Sequence, residues 1–212
     1  VHVEQRLKAL DFLVVADFFL SETAALADVV LPSAQWAEED GTMTNLEGRV
    51  ILRRRAVDPP AGVRTDLDVL TALAARMGKQ RHFPSSQSGD VFEELRRASR
   101  GGPADYSGIS YERIEAEGGV FWPCPSVDHP GTPRLFADHF PTPSGRARFH
   151  AVRHQPPAED RDEEYPLYLT TGRVLAHYQS GTQTRRVARL KDAMPEHFAE
   201  MHPATARQAR LS

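Results

Sequence analysis

Short apolar runs and polar turns alternate at the start of the chain, in a pattern typical of successive strands and helices. The apolar run Asp11-Phe-Leu-Val-Val15 predicts a buried strand. A second strand is predicted at Asp28-Val-Val-Leu31, which stops at Pro32. Between the two strands, residues 21–27 predict a short helix with Ser21 as its N-cap.

A longer helix is predicted directly after Thr65. Thr65 can act as its N-cap, and Asp66 and Asp68 fall at the positive end of the helix dipole. Gly78 is a typical residue after which a helix ends. The apolar positions of this helix recur at helical spacing, at Leu67, Leu70, Leu73 and Met77.

Between these elements lies an acidic, glycine-punctuated loop at residues 35–49. A loop of about fifteen residues without regular structure is usually functional or disordered, and three large apolar side chains favour order, those of Trp36, Met43 and Leu46. A strand is predicted to follow at residues 50–54. Residues 1–80 are therefore predicted to form a Rossmann-like α/β layer with a parallel sheet.

Residues 81–163 are less regular and are predicted to connect two domains. Helices are expected at residues 90–100 and 111–117. The proline-rich, aromatic segment 118–131 predicts an extended and packed chain. Residues 140–149 predict a turn that leads into a strand.

After a charged linker at residues 156–164, the alternation of Leu167 and Leu169 predicts a short buried strand. Gly172 and Gly181 of the following polar loop allow close approach of the backbone to a ligand. Backbone amides and a planar guanidinium such as that of Arg173 match phosphate oxygens. The alternative is a strand followed by an ordinary basic turn. Residues 164–212 are predicted to begin an all-β domain.

The composition narrows the classes of protein. With 212 residues and 23.6 kDa, the chain can form one large or two small domains. A hydrophobic content of 40% and a charged content of 26% are typical of a soluble globular protein. The net charge of −3 argues against a nucleic-acid-binding surface. The mean hydropathy of −0.47 and the lack of an apolar run of about 18 residues argue against a membrane span.

Cysteine and histidine offer little metal chemistry. Cys124 is the only cysteine, so a disulfide within the chain and a cysteine-based cluster are excluded, and a reducing, cytoplasmic setting is expected. Cys124 lies between two prolines and is expected to be a packed, small apolar residue. His150 and His154 follow a strand-like segment, so metal binding by this pair is not expected. The basic run at residues 53–55 is interpreted as a solvated strand edge.

The ends of the chain suggest an internal segment. The sequence begins at Val1 without methionine and stops just after a helix predicted to begin near His202-Pro203. We therefore expect it to be part of a longer polypeptide and incomplete at both ends.

Three blocks of the sequence resemble the molybdopterin oxidoreductases of the dimethyl sulfoxide reductase type. The first runs from Ala16-Asp17 through Ala27-Asp28-Val-Val-Leu-Pro32 to Trp36-Ala-Glu-Glu-Asp-Gly-Thr-Met-Thr-Asn-Leu-Glu-Gly-Arg49. The second includes Phe121-Trp-Pro-Cys-Pro125, His129-Pro-Gly-Thr-Pro-Arg134 and Gly145-Arg-Ala-Arg-Phe149. The third is Thr171–Arg186. The resemblance is strongest to the assimilatory nitrate reductases and the related formate dehydrogenases.

This resemblance implies a set of cofactor-binding residues. Asp17 matches an acid that accepts hydrogen bonds from the guanosine of a molybdopterin guanine dinucleotide, although an Asx turn would also explain it. Asp66 matches another nucleotide-contacting acid, although an Asp is favoured in the first turn of any helix. Glu39 stands where relatives can carry a cofactor-contacting lysine. The third block matches the loop that grips the dinucleotide, through Thr171, Gly172, Arg173, Val174, Leu175, His177, Tyr178, Gln179, Ser180 and Thr182.

The resemblance further implies a fold and a reaction. The last domain would begin a double-psi barrel-like, molybdopterin-dinucleotide-binding fold. The whole protein would carry a molybdenum-bis(molybdopterin guanine dinucleotide) cofactor, with a [4Fe-4S] cluster and the metal ligand outside this sequence. Nitrate reduction, fed by an electron-donor protein or reductase subunit, is the expected reaction, and formate oxidation is the nearest alternative. A non-catalytic scaffold, like the molybdopterin-like subunit of respiratory complex I, is an alternative from another class. The isolated segment is expected to be inactive and contains no catalytic residue that we can name.

Overall fold

The structure is a computed structural model that describes residues 2–211. The chain forms two compact units, the first ending at Arg148 and the second beginning at Phe149. This division falls inside the segment 81–163 that the sequence assigns to a connector. The domain boundaries deduced from sequence stay predictions.

The first unit contains a parallel pair of strands, β1 (Val14–Asp17) and β2 (Val29–Pro32). Val14 pairs with Val29 and Asp17 with Pro32. β2 confirms the predicted second strand, but β1 begins three residues later than the strand predicted at residues 11–15. Val14 and Val29 are exposed, so the prediction of a buried β1 is wrong within the described part of the chain.

The segment between β1 and β2 forms a tight turn followed by a single 3-10 turn, Ala24–Leu26, and not the predicted α-helix. Ser21 still acts at its start, because its hydroxyl accepts a hydrogen bond from the amide of Ala24 at 3.3 Å. Before β1 lies α1 (His2–Lys8), which the sequence analysis missed. The signal was available, since Val3, Leu7 and Leu10 recur at helical spacing.

A second, antiparallel sheet follows, with β3 (Gly41–Thr44), β4 (Arg49–Arg53) and β5 (Val120–Phe121) in the order β3-β4-β5. β4 confirms the strand predicted at residues 50–54 within one residue. The prediction that residues 35–49 lack regular structure is wrong, because they hold a 3-10 turn, Trp36–Glu38, and the strand β3. The loop is ordered, as the three apolar residues Trp36, Met43 and Leu46 suggested, although their side chains are exposed.

The hairpin between β3 and β4 is set by its turn residues. The side chain of Asn45 accepts hydrogen bonds from the amides of Glu47 and Arg49, both at 3.0 Å. Gly48 adopts φ +80°, a left-handed conformation that favours glycine. Asn and Gly at these positions are typical turn signals, so this hairpin was accessible to sequence reasoning.

Three other predicted helices of the first unit are confirmed. The helix α2 (Asp66–Arg76) has Thr65 as N-cap, with the hydroxyl accepting from the amide of Asp68 at 3.1 Å. The helix α3 (Ser88–Ser99) begins two residues before its prediction, and α4 (Tyr111–Glu117) matches its prediction at both ends. The apolar face of α2 packs less than predicted, since three of its residues are exposed, namely Leu70, Leu73 and Met77.

The core of the first unit lies between α3, α4, β4 and β5. Its buried side chains are Val50, Phe92, Ile109, Ile114, Val120 and Cys124. The segment 118–131 is therefore packed, as predicted, around Val120 and the fully buried Cys124, whereas residues 125–128 are exposed. Because β4 pairs with β5, the sheet joins residues 41–53 to the segment predicted to be a connector.

Arg113 of α4 holds the irregular segment around this core. Its guanidinium donates to the carbonyl oxygens of Gly108, Val127 and His129 at 2.9–3.1 Å, and contacts the Cys124 sulfur at 3.3 Å. The hydrogen bond to Glu117 raises the pKa of Arg113. The Arg113 side chain thus provides hydrogen-bond donors for carbonyl groups that are not paired in a sheet.

The second unit contains a 3-10 turn, Thr184–Arg186, and two short helices, α5 (Ala188–Ala193) and α6 (Pro203–Gln208). The helix predicted near His202 is confirmed, with His202 as its N-cap. The described part of this unit contains no strand, so the strand at Leu167 and Leu169 is not formed and both residues are exposed. The turn at residues 140–146 of the first unit is present, but the strand predicted to follow it is not.

We expect Gly108→Ala to loosen the core. A Cβ atom at this position would lie 2.0 Å from the carbonyl oxygen of Ser126 and 2.8 Å from the Cys124 sulfur, so the backbone must shift. Overpacking of this kind destabilises by about 1–3 kcal/mol. In the wild type the backbone amide of residue 108 donates a hydrogen bond to the Cys124 carbonyl oxygen at 2.7 Å, and hydrogen exchange at this amide should accelerate in the variant. The control Gly89→Ala in α3, whose Cβ would meet Tyr111 at an ordinary 3.8 Å, should not accelerate it.

Asp105 should contribute a pH-dependent part of the stability. Hydrogen bonds from the Ser107 side chain, and then from the amides of Ser107 and Gly101, lower the pKa of this buried carboxyl group. A lowered native pKa stabilises the fold above the unfolded value of about 4 and stops doing so as the pH falls through the native value. The stability difference between the wild type and Asp105→Asn should therefore shrink below about pH 4 in urea titrations. A difference that stays constant from pH 6 to pH 2 would contradict this assignment.

Candidate functional site

The carboxyl edge of the parallel strands carries the first predicted acid, Asp17. Its carboxylate accepts a hydrogen bond from the amide of Phe19 at 3.2 Å and one from the hydroxyl of Ser21 at 2.8 Å. These contacts are those of the Asx turn that the sequence analysis left open. Asp17 orders the turn after β1, and contact of the same acid with a nucleotide stays a prediction.

The second predicted acid, Asp66, lies at the same edge, because the segment just before α2 runs parallel to the chain at the end of β2. Asp17 pairs with Pro32, the following Ser33 forms a parallel bridge with Arg64, and Asp66 begins α2 two residues later. Asp66 is exposed in the first helical turn. The backbone thus brings both acids to the edge where open α/β sheets bind ligands, and a shared nucleotide site there stays a prediction.

Asp68, which the sequence analysis treated only as a dipole partner, has more contacts than Asp66. Hydrogen bonds from the Ser86 side chain, and then from Thr65, lower its pKa. It faces a cavity of about 200 Å³ lined also by Glu38, Glu39, Asp40, Arg55, Leu67, Gln87 and Ser88. Glu38 accepts from the amide of Gln35, and Asp40 from the amide of Arg55, both at 2.8 Å. These acids therefore hold the loop that precedes β3.

The predicted dinucleotide loop begins with an open, polar stretch. Thr171, Gly172 and Arg173 are exposed, and Leu175 is fully exposed to solvent. A Cβ atom built on Gly172 would meet no atom within 4 Å, so the space over this backbone is free. Val174 is half-buried and its carbonyl oxygen accepts from the amide of His177 at 3.3 Å.

His177 differs from its neighbours because it is buried, with 6% of its surface exposed. Its Nδ1 atom lies 3.1 Å from the hydroxyl of Thr184, and its Nε2 atom lies 2.8 Å from the carbonyl oxygen of Met194. Both ring nitrogens are therefore used within the chain. Both nitrogens thus have partners inside the second unit, and contact of His177 with a cofactor stays a prediction.

The remaining part of the loop returns in a tight turn. Gln179 and Gly181 adopt positive φ angles of 50° and 79°, and the Gly181 amide donates to the Tyr178 carbonyl at 2.9 Å. The hydroxyls of Ser180 and Thr182 lie 2.8 Å apart on the exposed side. Tyr178, Gln179, Ser180 and Thr182 are exposed around the buried Gly181. The loop therefore exposes backbone amides, hydroxyl groups and the Arg173 guanidinium to solvent, while hydrogen bonds within the unit hold its backbone.

Neither a metal-binding cluster nor a membrane-spanning helix is found among the described residues. No group of three or more His, Cys, Asp or Glu side chains among residues 2–211 could hold a metal ion. Within the same range, no helix has the length and apolar content needed to cross a bilayer.

Comparison with known families assigns both ends of the sequence. Residues 1–76 match the family described as molybdopterin oxidoreductase, and residues 167–212 match the molybdopterin dinucleotide binding domain. The chain belongs to the molybdopterin oxidoreductase family. The family named from the three sequence blocks is thereby confirmed.

Individual relatives agree with this family. The chain is 49% identical to the assimilatory nitrate reductase catalytic subunit of Bacillus subtilis over 206 residues, which are 96% of this chain and 29% of that protein. It is 44% identical to a formate dehydrogenase alpha subunit of Methanocaldococcus jannaschii, covering 99% of this chain and 30% of that protein. The chain thus spans less than a third of the length of these relatives.

A solved structure supports the fold. Acetylene hydratase from Pelobacter acetylenicus matches 95% of this chain and 28% of its own chain, with a TM-score of 0.66 and 24% sequence identity. This likeness concerns the fold alone. It agrees with a mixed arrangement of helices and sheets, while the predicted double-psi barrel remains a prediction.

Glu39 has a structural partner in this member of the molybdopterin oxidoreductase family. Its carboxylate lies 2.9 Å from the guanidinium of Arg53, and both side chains are largely buried. The interpretation of residues 53–55 as a solvated strand edge is therefore wrong for Arg53. Arg54 pairs with Glu115 in solvent, and Arg55 pairs with Asp58. The partner of Glu39 could not be seen from sequence, because it lies fourteen residues away across the hairpin.

We expect Glu39→Gln to destabilise the protein by about 1 kcal/mol, because Arg53 would keep its charge in a half-buried position without its partner. The cofactor content should not change. The matched control is Glu115→Gln, which breaks an ion pair exposed by more than 60% and should cost less than about 0.5 kcal/mol. Urea unfolding measures both effects. An equal cost for the two variants, or loss of cofactor from Glu39→Gln alone, would contradict this structural role.

Proposed function

We propose that the chain forms part of the cofactor cradle in the catalytic subunit of a molybdenum oxidoreductase. The observation that carries the proposal is the outward-facing set of donors in residues 171–182, held on a base of internal hydrogen bonds. The family match over residues 167–212 supports the same segment. The acids at the sheet edge support a second contact region for a nucleotide.

The donor types fit a molybdopterin guanine dinucleotide. The free space over Gly172 lets its backbone approach a phosphate closely, and the exposed Arg173 can pair with phosphate oxygens in a bidentate manner. The carboxylates of Asp17 and Asp66 are suited to accept hydrogen bonds from the amino and imino groups of guanine. A bis(dinucleotide) cofactor would place one such tail in each region.

When bound, the molybdenum centre supplies two-electron oxygen-atom transfer, and this chain supplies binding and orientation. Arg173 and the loop amides would neutralise the diphosphate. Asp17, already fixed by Ser21 and the Phe19 amide, would orient a guanine without further ordering. The described residues give no proton donor that we assign to the reaction. The metal ligand and a [4Fe-4S] cluster are proposed for other parts of the full polypeptide.

The substrate that we propose is nitrate, reduced to nitrite and water with two electrons and two protons. The Bacillus subtilis relative supports nitrate. Formate, oxidised to carbon dioxide with release of two electrons and one proton, is the alternative, because relatives named formate dehydrogenase are similar at 44% identity. A cytoplasmic enzyme with a separate electron-donor protein or subunit agrees with the single, buried Cys124.

The test uses the complete polypeptide that contains this sequence. Molybdenum and guanine nucleotide released from the purified protein should approach one metal and two nucleotides per chain. Reduced viologen dye should be oxidised with nitrate, and oxidised dye should not be reduced with formate. The opposite substrate pattern would select formate dehydrogenase. A protein without molybdenum and guanine nucleotide would contradict the proposal and favour a non-catalytic scaffold.

Arg173→Ala should weaken cofactor retention in the complete enzyme. Charge-assisted hydrogen bonds are worth about 1.5–3 kcal/mol, which corresponds to a loss of about ten- to a hundredfold. Arg173→Lys should rescue only part of this loss, since a point charge cannot reproduce the planar fork. Guanine nucleotide per chain after gel filtration is the measurement. Arg153→Ala, an exposed arginine of the same unit outside the loop, is the control. Wild-type content in Arg173→Ala would make Arg173 an ordinary surface residue.

A further inference from the structure

In the described part of the second unit, a small network of polar contacts includes residues of the donor loop, residues 171–182. Tyr178 donates its amide to the Thr184 hydroxyl at 3.3 Å. The same hydroxyl lies 3.1 Å from Nδ1 of His177, whose Nε2 lies 2.8 Å from the Met194 carbonyl oxygen. This His177–Thr184 pair therefore joins the middle of the loop, the 3-10 turn Thr184–Arg186 and the end of α5.

The direction of the hydrogen bonds follows from the chemistry of each group. A carbonyl oxygen only accepts, so Nε2 of His177 carries the proton that it donates to Met194. In the neutral ring Nδ1 is then an acceptor, and the Thr184 hydroxyl donates to it. The oxygen of that hydroxyl is left to accept the Tyr178 amide. Each hydrogen bond from the Tyr178 amide through Thr184 and the His177 ring to the Met194 carbonyl thus has a defined direction, and replacing either side chain interrupts the series.

The His177–Thr184 pair restrains the backbone conformation of the neighbouring turn at residues 178–181. The neighbouring turn contains a non-glycine residue in the left-handed region, Gln179 with φ +50°. Such a conformation persists only where surrounding contacts determine it. The contacts around it include the Thr184 bond to the Tyr178 amide, the Gly181 turn, and the hydrogen bond from the Arg185 amide to the Gly181 carbonyl oxygen at 2.9 Å. Around them, the side chains of Gln179, Ser180 and Thr182 remain exposed.

We propose that His177 and Thr184 are positioning residues for the dinucleotide loop, and that neither binds the cofactor. This inference rests on the proposed function of the loop. His177 is buried with both ring nitrogens occupied, so it has nothing to offer a ligand directly. By fixing the Tyr178 amide and the turn at residues 178–181, the pair orders the donors before the cofactor arrives. A loop that is ordered in advance loses less conformational entropy on binding.

The experiment compares two pairs of variants in the complete holoenzyme. Thr184→Val keeps the side-chain shape and removes the hydroxyl, whereas Thr184→Ser keeps the hydroxyl. His177→Phe removes both ring hydrogen bonds, whereas His177→Asn can keep the acceptor near the Nδ1 position. The control is His154→Phe, at an exposed position of the same unit. The rate of guanine nucleotide release after dilution and the midpoint of urea unfolding are both measured.

We expect Thr184→Val and His177→Phe to release the nucleotide about tenfold faster, because each interrupts two hydrogen bonds. Thr184→Ser should release it as the wild type does, and His177→Asn at an intermediate rate. Unfolding midpoints should stay close to wild type for the two threonine variants, so that faster release is not general instability. If His177→Phe does not fold, the threonine pair decides alone.

Two results would overturn the inference while leaving the proposed function intact. One is wild-type release from Thr184→Val, and the other is equally fast release from Thr184→Val and Thr184→Ser. A wild-type enzyme without bound guanine nucleotide would instead overturn the proposed function, and this inference with it.

Discussion

Irregular backbone can be buried only where its amide and carbonyl groups find partners, and this constraint shapes both units of the chain. In the first unit, Arg113 donates to three carbonyl groups of irregular backbone, that of Gly108 before α4 and those of Val127 and His129 after β5. In the second unit, the His177 ring donates a hydrogen bond to the Met194 carbonyl oxygen. Each polar side chain thus replaces part of the hydrogen bonding that a regular element would provide. The packed core around Cys124 and the ordered donor loop both depend on such a side chain.

Local signals explain which parts of the fold could be predicted from sequence. The helix α4 matches its predicted bounds, and the structure shows the local signals, since Ser110 caps it and Gly118 ends it. The helix α2 was equally clear from Thr65 and Gly78. The pairing of β4 with β5 could not be predicted, because it joins residues about seventy positions apart and depends on the core that both strands share. The strand at Leu167 failed for a related reason: alternation indicates an exposed and a buried face, but a strand forms only where a neighbour pairs with its backbone.

The candidate site shows the same difference between local sequence signals and long-range contacts. The residue types of the loop from Thr171 to Thr182 suited a phosphate-bearing ligand, and the resemblance to the family indicated the rest of the loop and the acids at the sheet edge. Sequence could not separate the residues that face outward from those that hold the loop. His177 and Arg173 are both polar and only four positions apart, yet one is buried with both nitrogens bonded and the other is exposed. Likewise, the partner of Glu39 was hidden until the hairpin brought Arg53 opposite. Tertiary contacts decide these roles.

The central claim is that the exposed side of residues 171–182 receives a guanine dinucleotide while His177 and Thr184 hold the loop from behind. A structure of the complete polypeptide with its cofactor is the most direct test. We predict a diphosphate within hydrogen-bonding distance of the Gly172 backbone or the Arg173 guanidinium, and an unchanged bond between His177 and Thr184. A dinucleotide bound elsewhere, or bound through the His177 ring, would contradict the account.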